Sequence, residues 1–301
     1  MNQQSIARPQ DWWQRLAAWF REAIAPRARR QEIRAIPSPA SIAALRAARG
    51  DAERRYAFRM EGRRIGVLLV HGLTSTPQSM RDLGSAFAAQ GIDVEAVLLP
   101  GHGTTPEDLE TTRWEEWYDA VRDGLDRLRP RCDRLFVCGQ SMGGALALHA
   151  AVHEPLDGVI TLAGFLYLKD WRAKFIPALK QVMHWRRCIG NDIADPGRRD
   201  EVCYDRISLT TVEQLMALGS VARAELHQID VPALVMQSRV DHVVPPDTAD
   251  LIYDGISSAD KEMVRLPNSY HVISMDYDFD TVVERSVRFM RRVAYSQRRG
   301  R

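Results

Sequence analysis

The chain has 301 residues, 45% hydrophobic and 27% charged, a balance typical of soluble globular proteins. The sequence contains no run of about eighteen apolar residues, and its first apolar cluster is short, so we expect neither a transmembrane helix nor a signal peptide. The net charge of +2 is the sum of +8 over residues 1–64 and −6 over the remaining residues. Because the basic charge is confined to one end of the chain, nucleic acid is not expected as a substrate or partner.

Residues 1–55 form a basic N-terminal extension, called the head below. Trp12, Leu16, Trp19 and Phe20 recur at helical spacing, and arginines flank them, which predicts an amphipathic helix that ends at Pro26. Such a helix can lie in an anionic membrane surface with its tryptophans at the interface, or it can dock on its own domain or on a partner. Both interpretations are compatible with the pattern.

Short apolar runs and helical patterns alternate from about residue 56 onward. Strands are predicted over 65–70, 94–99, 135–138, 159–162, 233–237 and 262–266, and helices over 81–90, 112–129, 142–153, 246–254 and 279–295. Strands separated by helices indicate the α/β class, here a mainly parallel central sheet with helices on both faces.

The alternation is interrupted over residues 165–226, a stretch with a helical pattern that is rich in Trp, Met and Phe. We interpret it as a small helical cap inserted into a core of residues 56–164 and 227–296, followed by a basic tail, 297–301. Two roles are compatible with the apolar residues of the insert: they line an acyl channel, or they form only the core of the cap. These residues are Phe165, Leu166, Leu168, Trp171, Phe175, Leu179 and Val182.

The strongest motif is GQSMG at 139–143, which follows a predicted strand and precedes a predicted helix. That context is the one required of a nucleophile elbow, in which a serine is held on a strained turn above the sheet. Glycine is common in this chain, so the motif alone is weak, but its flanks favour Ser141 as a nucleophile. The next backbone N–H, from Met142, can donate to an oxyanion.

Chain order predicts the other two members of a catalytic triad, because this architecture places the acid and then the histidine after the serine. His271 is the last histidine and follows the strand predicted over 262–266, which favours it as the general base. Asp241 follows the strand predicted over 233–237 and can orient that imidazole. His242 is a competing base, whereas His149 and His153 suggest packing or surface positions.

A second oxyanion donor is expected in the loop after the first predicted core strand. Gly72 lets the chain turn close to the substrate there, and the backbone N–H of Leu73 is the candidate donor. We favour a buried structural role for His71 over a chemical one.

Four cysteines lie at positions 132, 138, 188 and 203, without a CxxC pair. They are interpreted as reduced thiols of a cytoplasmic protein. The sequence indicates no metal and no organic cofactor.

Five blocks in order resemble bacterial monoacylglycerol lipases and the related small carboxylesterases of the α/β-hydrolase superfamily. The blocks are VLLVHGLTSTP at 67–77, LPGHGT at 99–104, GQSMGG at 139–144, DHVVPP at 241–246 and NSYHV at 268–272. The resemblance covers about 60–295 and gives the basic head no counterpart.

The resemblance implies a metal-free triad of Ser141, Asp241 and His271, oxyanion donors at Leu73 and Met142, and a compact cap over an acyl tunnel. It also implies a substrate with one fatty acyl chain on glycerol. Ile189 and Glu201 resemble residues that line the glycerol end, although the match needs a one-residue insertion between them. Glu201 is equally compatible with a solvated acid of the cap.

We therefore expect a serine ester hydrolase that cleaves monoacylglycerols or similar single-chain esters through an acyl-enzyme. A short-chain carboxylesterase, an acyltransferase or a thioesterase would use the same triad, and a non-catalytic binding protein on this scaffold is a further alternative. A cytoplasmic location is expected, with peripheral contact at the inner membrane surface as an option; the pattern predicts neither oligomeric state nor acyl chain length.

Overall fold

A computed structural model describes residues 58–60, 64–169, 175–180, 183–188 and 190–296 of the chain. The predicted helix of the head and the basic tail lie outside these residues, as does Ile189.

The core is a seven-stranded sheet with strand order β1-β3-β2-β4-β5-β8-β9, and β6 and β7 form a separate antiparallel pair. Six strands of the large sheet run parallel, and β1 pairs antiparallel with β3 at one edge. Numbered along the chain, the strands are β1 (Phe58–Met60), β2 (Arg64–Val70), β3 (Asp93–Val97), β4 (Cys132–Gln140), β5 (Gly158–Leu162), β6 (Trp185–Arg187), β7 (Arg206–Ser208), β8 (Ala233–Ser238) and β9 (Lys261–Leu266).

Helices cover both faces of this sheet. In the described residues they are α1 (Arg81–Ala89), α2 (Pro106–Glu110), α3 (Trp114–Leu128), α4 (Met142–His153), α5 (Ile176–Leu179), α6 (Leu209–Glu225), α7 (Thr248–Gly255) and α8 (Phe279–Ser296). No helix in the described ranges is both long and apolar enough to cross a membrane.

Successive residues of β2, β4, β5 and β8 pack into two different cores, because side chains alternate across a strand. Leu68 and Val70 of β2 pack in one cluster with α3, α4 and α6, whereas Val67 and Leu69 pack in the other with α1 and α8. Burial on both faces explains why these strands are continuous apolar runs in the sequence. The α/β class and the mainly parallel sheet are confirmed.

The described residues of the 165–226 segment contain less helix than their apolar pattern predicts. The long helix α6 is present, but β6 and β7 form an antiparallel pair of strands and α5 has only four residues. Pro177 lies in the first turn of α5, where its missing N–H costs no helical hydrogen bond. Trp171 and Val182 lie outside the described residues, and Phe175 is 46% exposed.

Candidate active site

The turn between β4 and α4 holds Ser141 in a strained conformation. Its backbone has φ 56° and ψ −116°, outside the regions that a residue with a side chain usually adopts. Gly139 makes this turn possible, because a Cβ there would lie 1.9 Å from the carbonyl oxygen of Gly143. The strand–turn–helix arrangement expected of a nucleophile elbow is therefore present.

His271 and Asp241 meet although 30 residues separate them. The Nδ1–H of His271 donates to Oδ2 of Asp241 at 2.8 Å, and the Asp241 side chain is fully buried. The backbone N–H groups of Val243 and Val244 donate to Oδ1 at 2.8 Å, and Nε2 of Gln237 donates to Oδ2 at 2.7 Å. These bonds hold the carboxylate in one orientation and leave Nε2 of His271 as the nitrogen that can take a proton.

Burial and charge act in opposite directions on this pair. Burial by itself lowers the pKa of His271, but the Asp241 carboxylate, with smaller contributions from Asp192 and Glu201, raises that pKa above its ordinary value. Burial by itself raises the pKa of Asp241, but the contact with His271 and the two backbone N–H groups lower that pKa below its ordinary value. Asp241 is thus ionised and the His271 imidazolium is stabilised.

Ser141 and His271 line one cavity of about 180 Å³, and Asp241 lies behind the imidazole. A larger, more open hollow runs along α8, but none of these three residues lines it. The walls of the smaller cavity are mainly apolar; they include Leu73, Phe165, Leu168, Ile207, Val212, Leu215 and Val243.

Two backbone amides are available beside the nucleophile. Leu73 follows β2 and lines the cavity, and Met142 is the first residue of α4. Neither amide has a hydrogen-bond acceptor within the described part of the chain. A Cβ at Gly72 would lie 3.3 Å from Cβ of Ser141, so the β2 loop passes very close to the nucleophile. The arrangement suits an oxyanion hole.

His71 is buried and structural. Its Nδ1–H donates to the Gly72 carbonyl at 2.9 Å, and the Leu99 N–H donates to its Nε2 at 3.2 Å. Burial, with nearby His102, lowers the pKa of His71 well below its ordinary value, so the ring is neutral. Both nitrogens are used in bonding neighbouring loops, as expected for a structural histidine.

Asp192 holds the backbone of His271 in place, and the sequence did not suggest this role. Its Oδ2 accepts from the backbone N–H groups of His271 at 3.1 Å and His242 at 3.3 Å, and its Oδ1 contacts Nδ1 of His242 at 2.8 Å. The competing base His242 is therefore paired with Asp192 and not with Asp241, its neighbour in the chain. The His242 side chain is 50% exposed. Asp192 belongs to the insert, so no local pattern could have linked it to His271.

Two further acids fix the loop that carries His271. Asp278 accepts from the N–H of Asn268 and from the N–H and hydroxyl of Ser269, at 2.8–2.9 Å. Asp276 accepts from the N–H of Tyr270 at 2.8 Å. The sequence hint was the acidic run that follows the histidine.

Glu201 lines the same cavity as Ser141 and His271. Its Oε2 accepts from the N–H of Asn191 at 3.2 Å, and Oε1 has no partner among the described residues. Ile189 lies outside the described residues, but Cys188 and Gly190 on either side of it line the cavity.

Residues 62–278 match the family model described as Serine aminopeptidase, S33. The chain is 41% identical over 240 residues to a thermostable monoacylglycerol lipase of Bacillus sp. (strain H-257), covering 77% of this chain and 92% of that one. It is 26% identical to a carboxylesterase of Bacillus subtilis (strain 168), covering 78% and 96% of the two chains.

Among solved structures, one described under the metagenome-derived lipolytic enzymes LipS and LipT superposes with a TM-score of 0.76. Its sequence is 38% identical, and the match covers 78% of this chain and 97% of that one.

Proposed function

From the premise that this chain belongs to the family described as Serine aminopeptidase, S33, we propose that it is a serine ester hydrolase acting on monoacylglycerols. The observation that carries the proposal is that His271, held by Asp241 at 2.8 Å, lines the same cavity as the strained Ser141. The family description refers to a peptidase, whereas the two relatives named above are ester hydrolases.

The chemistry follows from these groups. The Ser141 hydroxyl attacks the ester carbonyl while Nε2 of His271 takes its proton, and the oxyanion accepts from the N–H groups of Leu73 and Met142. The imidazolium then protonates the leaving alcohol, which departs and leaves the acyl chain on Ser141. Water, deprotonated by His271, attacks the acyl-enzyme and releases the fatty acid.

The cavity supports a substrate with one acyl chain. Its apolar wall suits an alkyl chain, and residues 165–226 supply part of that wall, which is why we interpret them as a cap. Glu201 adds a carboxylate oxygen without a partner to this cavity, and we assign it to hydroxyl groups of the glycerol.

Glu201→Gln should lower kcat/KM for monolauroylglycerol by about 10-fold, because a hydrogen bond from a hydroxyl to a carboxylate becomes one to a neutral amide. Turnover of p-nitrophenyl butyrate, which lacks a glycerol, should change much less. Glu213→Gln is the matched control, since Glu213 on α6 pairs with Lys180 at 2.7 Å and does not line the cavity.

The same assay separates the activities. We expect wild type to cleave monolauroylglycerol in preference to dilauroylglycerol and to leave an aminoacyl p-nitroanilide intact. Preference for the anilide would contradict the ester hydrolase assignment. Equal loss of both esters in Glu201→Gln would contradict only the glycerol contact.

For the head, residues 1–55, we propose contact with anionic lipid surfaces. Support comes from Trp12 and Trp19 on one predicted helical face and from the +8 charge of residues 1–64. The full chain should sediment with phosphatidylglycerol vesicles at low salt, and the double variant Trp12→Ser, Trp19→Ser should stay in solution. Phosphatidylcholine vesicles are the control, and equal sedimentation of variant and wild type would refute the contact.

A further inference from the structure

Three side chains of types that can bind a metal ion converge beside α4, the helix that follows Ser141. His149 and His153 lie one turn apart on α4, and Glu225 is the last residue of α6. Nδ1 of His149 lies 2.6 Å from Oε2 of Glu225, and Nε2 of His153 lies 3.0 Å from Oε1. All the potential ligand atoms lie within 4.8 Å of one another.

This donor set has the composition of a zinc site. Two imidazoles and one carboxylate are the protein ligands of many open zinc centres, with the fourth position left to water. At metal–ligand distances of about 2.0–2.1 Å, tetrahedral ligand atoms are about 3.3 Å apart. The two observed nitrogen–oxygen distances are therefore only a few tenths of an ångström to about 0.7 Å shorter than a bound ion requires.

The surroundings order one ligand and leave another accessible. The His149 ring packs edge-on against Trp114 and Tyr118, with ring centroids 5.4 and 4.5 Å away. Its side chain is 10% exposed, whereas that of His153 is 45% exposed, so an ion can enter from solvent.

The neighbouring acid does not compete for these histidines. Glu154 accepts from the hydroxyl of Tyr118 at 3.2 Å and from Arg129 at 3.2 Å. Glu225 is therefore the carboxylate that faces both imidazoles.

We propose that His149, His153 and Glu225 bind one Zn²⁺ ion, which ties the helix that begins at the nucleophile to the last helix of the 165–226 insert. The ion takes the place of the hydrogen bonds between Glu225 and the two imidazoles, which bind it in their neutral form, and any displaced proton passes to solvent. This site is independent of the ester hydrolase assignment, because none of its ligands lines the cavity of Ser141.

The test is Zn²⁺ binding to the purified full chain, measured by competition with a chromogenic chelator, with Co²⁺ absorption as a second probe. We expect one ion per chain and a tetrahedral-type Co²⁺ spectrum. His153→Gln should weaken binding by at least about 100-fold, since one of three protein ligands is lost. Zn²⁺ should also raise the Tm of wild type, reversibly with EDTA, and leave the Tm of His153→Gln unchanged.

His184→Gln is the matched control. His184 forms a single ion pair with Glu110 at 3.0 Å and is 55% exposed, so it reproduces a histidine–carboxylate contact without the third donor. This variant should bind Zn²⁺ as wild type does. Glu225→Gln should also lose binding, and circular dichroism checks that each variant is folded.

Two results would overturn the proposal: no Zn²⁺ binding to wild type, or equal affinity in wild type and folded His153→Gln. Either would show that the three side chains form an ion-pair network only. Neither would affect the proposed ester hydrolysis.

Discussion

Replacing Ser141 by alanine should lower kcat for ester hydrolysis by about 10⁴- to 10⁶-fold. The variant keeps the oxyanion donors and the cavity but has no hydroxyl to form the acyl-enzyme. Alanine and serine both carry a Cβ, so the strain of the positive φ at this position is unchanged and the fold should be retained. The measurement is turnover of monolauroylglycerol and p-nitrophenyl butyrate by the two proteins.

A second readout identifies the nucleophile directly. A fluorophosphonate probe should label wild type once, at the peptide that contains Ser141, and should not label the alanine variant. Ser286→Ala is the matched control, since Ser286 is a fully buried serine of α8. If Ser141→Ala retained turnover above a few per cent, the nucleophile assignment would be wrong.

Replacing Asp241 by asparagine should lower kcat by about 10⁴-fold. Two backbone N–H groups hold Oδ1, so the new NH₂ group takes the place of Oδ2. That group donates towards Nδ1 of His271, so Nδ1 must accept this hydrogen bond. The imidazole then carries its proton on Nε2. The imidazole is left in the tautomer that cannot take the proton of Ser141.

The pH dependence gives the same variant a distinct signature. In wild type His271 must be neutral to act as a base, and its pKa is raised, so kcat/KM falls as the pH drops through that raised value. Without the Asp241 charge, the largest contribution that raises the pKa of His271 is lost, whereas burial still lowers that pKa. The acidic limb of the pH profile should therefore move to lower pH in Asp241→Asn.

Asp192→Asn is the control that separates charge from tautomer. Asp192 also raises the pKa of His271 but contacts only its backbone N–H, not its ring. We expect its acidic limb to move in the same direction, without a 10⁴-fold loss. A loss as large as that of Asp241→Asn would show that the orientation of the loop, and not the tautomer, limits the reaction.

The sequence by itself determined the features that depend on local pattern and on chain order. Apolar runs of strand length alternating with helical patterns predicted the parallel sheet, and the sheet order then brings the strand ends together at one edge. Because β4, β8 and β9 all end at that edge, Ser141, Asp241 and His271 could be selected by their positions after these strands. Their catalytic roles stay predictions until the substitutions above are measured.

Only the tertiary structure decided which distant side chains meet. Asp192 contacts His271 across 79 residues, and Glu225 contacts His149 across 76, with no periodicity to connect either pair. From the sequence alone, His149 and His153 are interpreted as packing or surface residues. The carboxylate that faces both of them, from Glu225, comes from another helix. Patterns of period two or 3.6 report which face of an element is buried, whereas partners of polar side chains depend on how the elements pack.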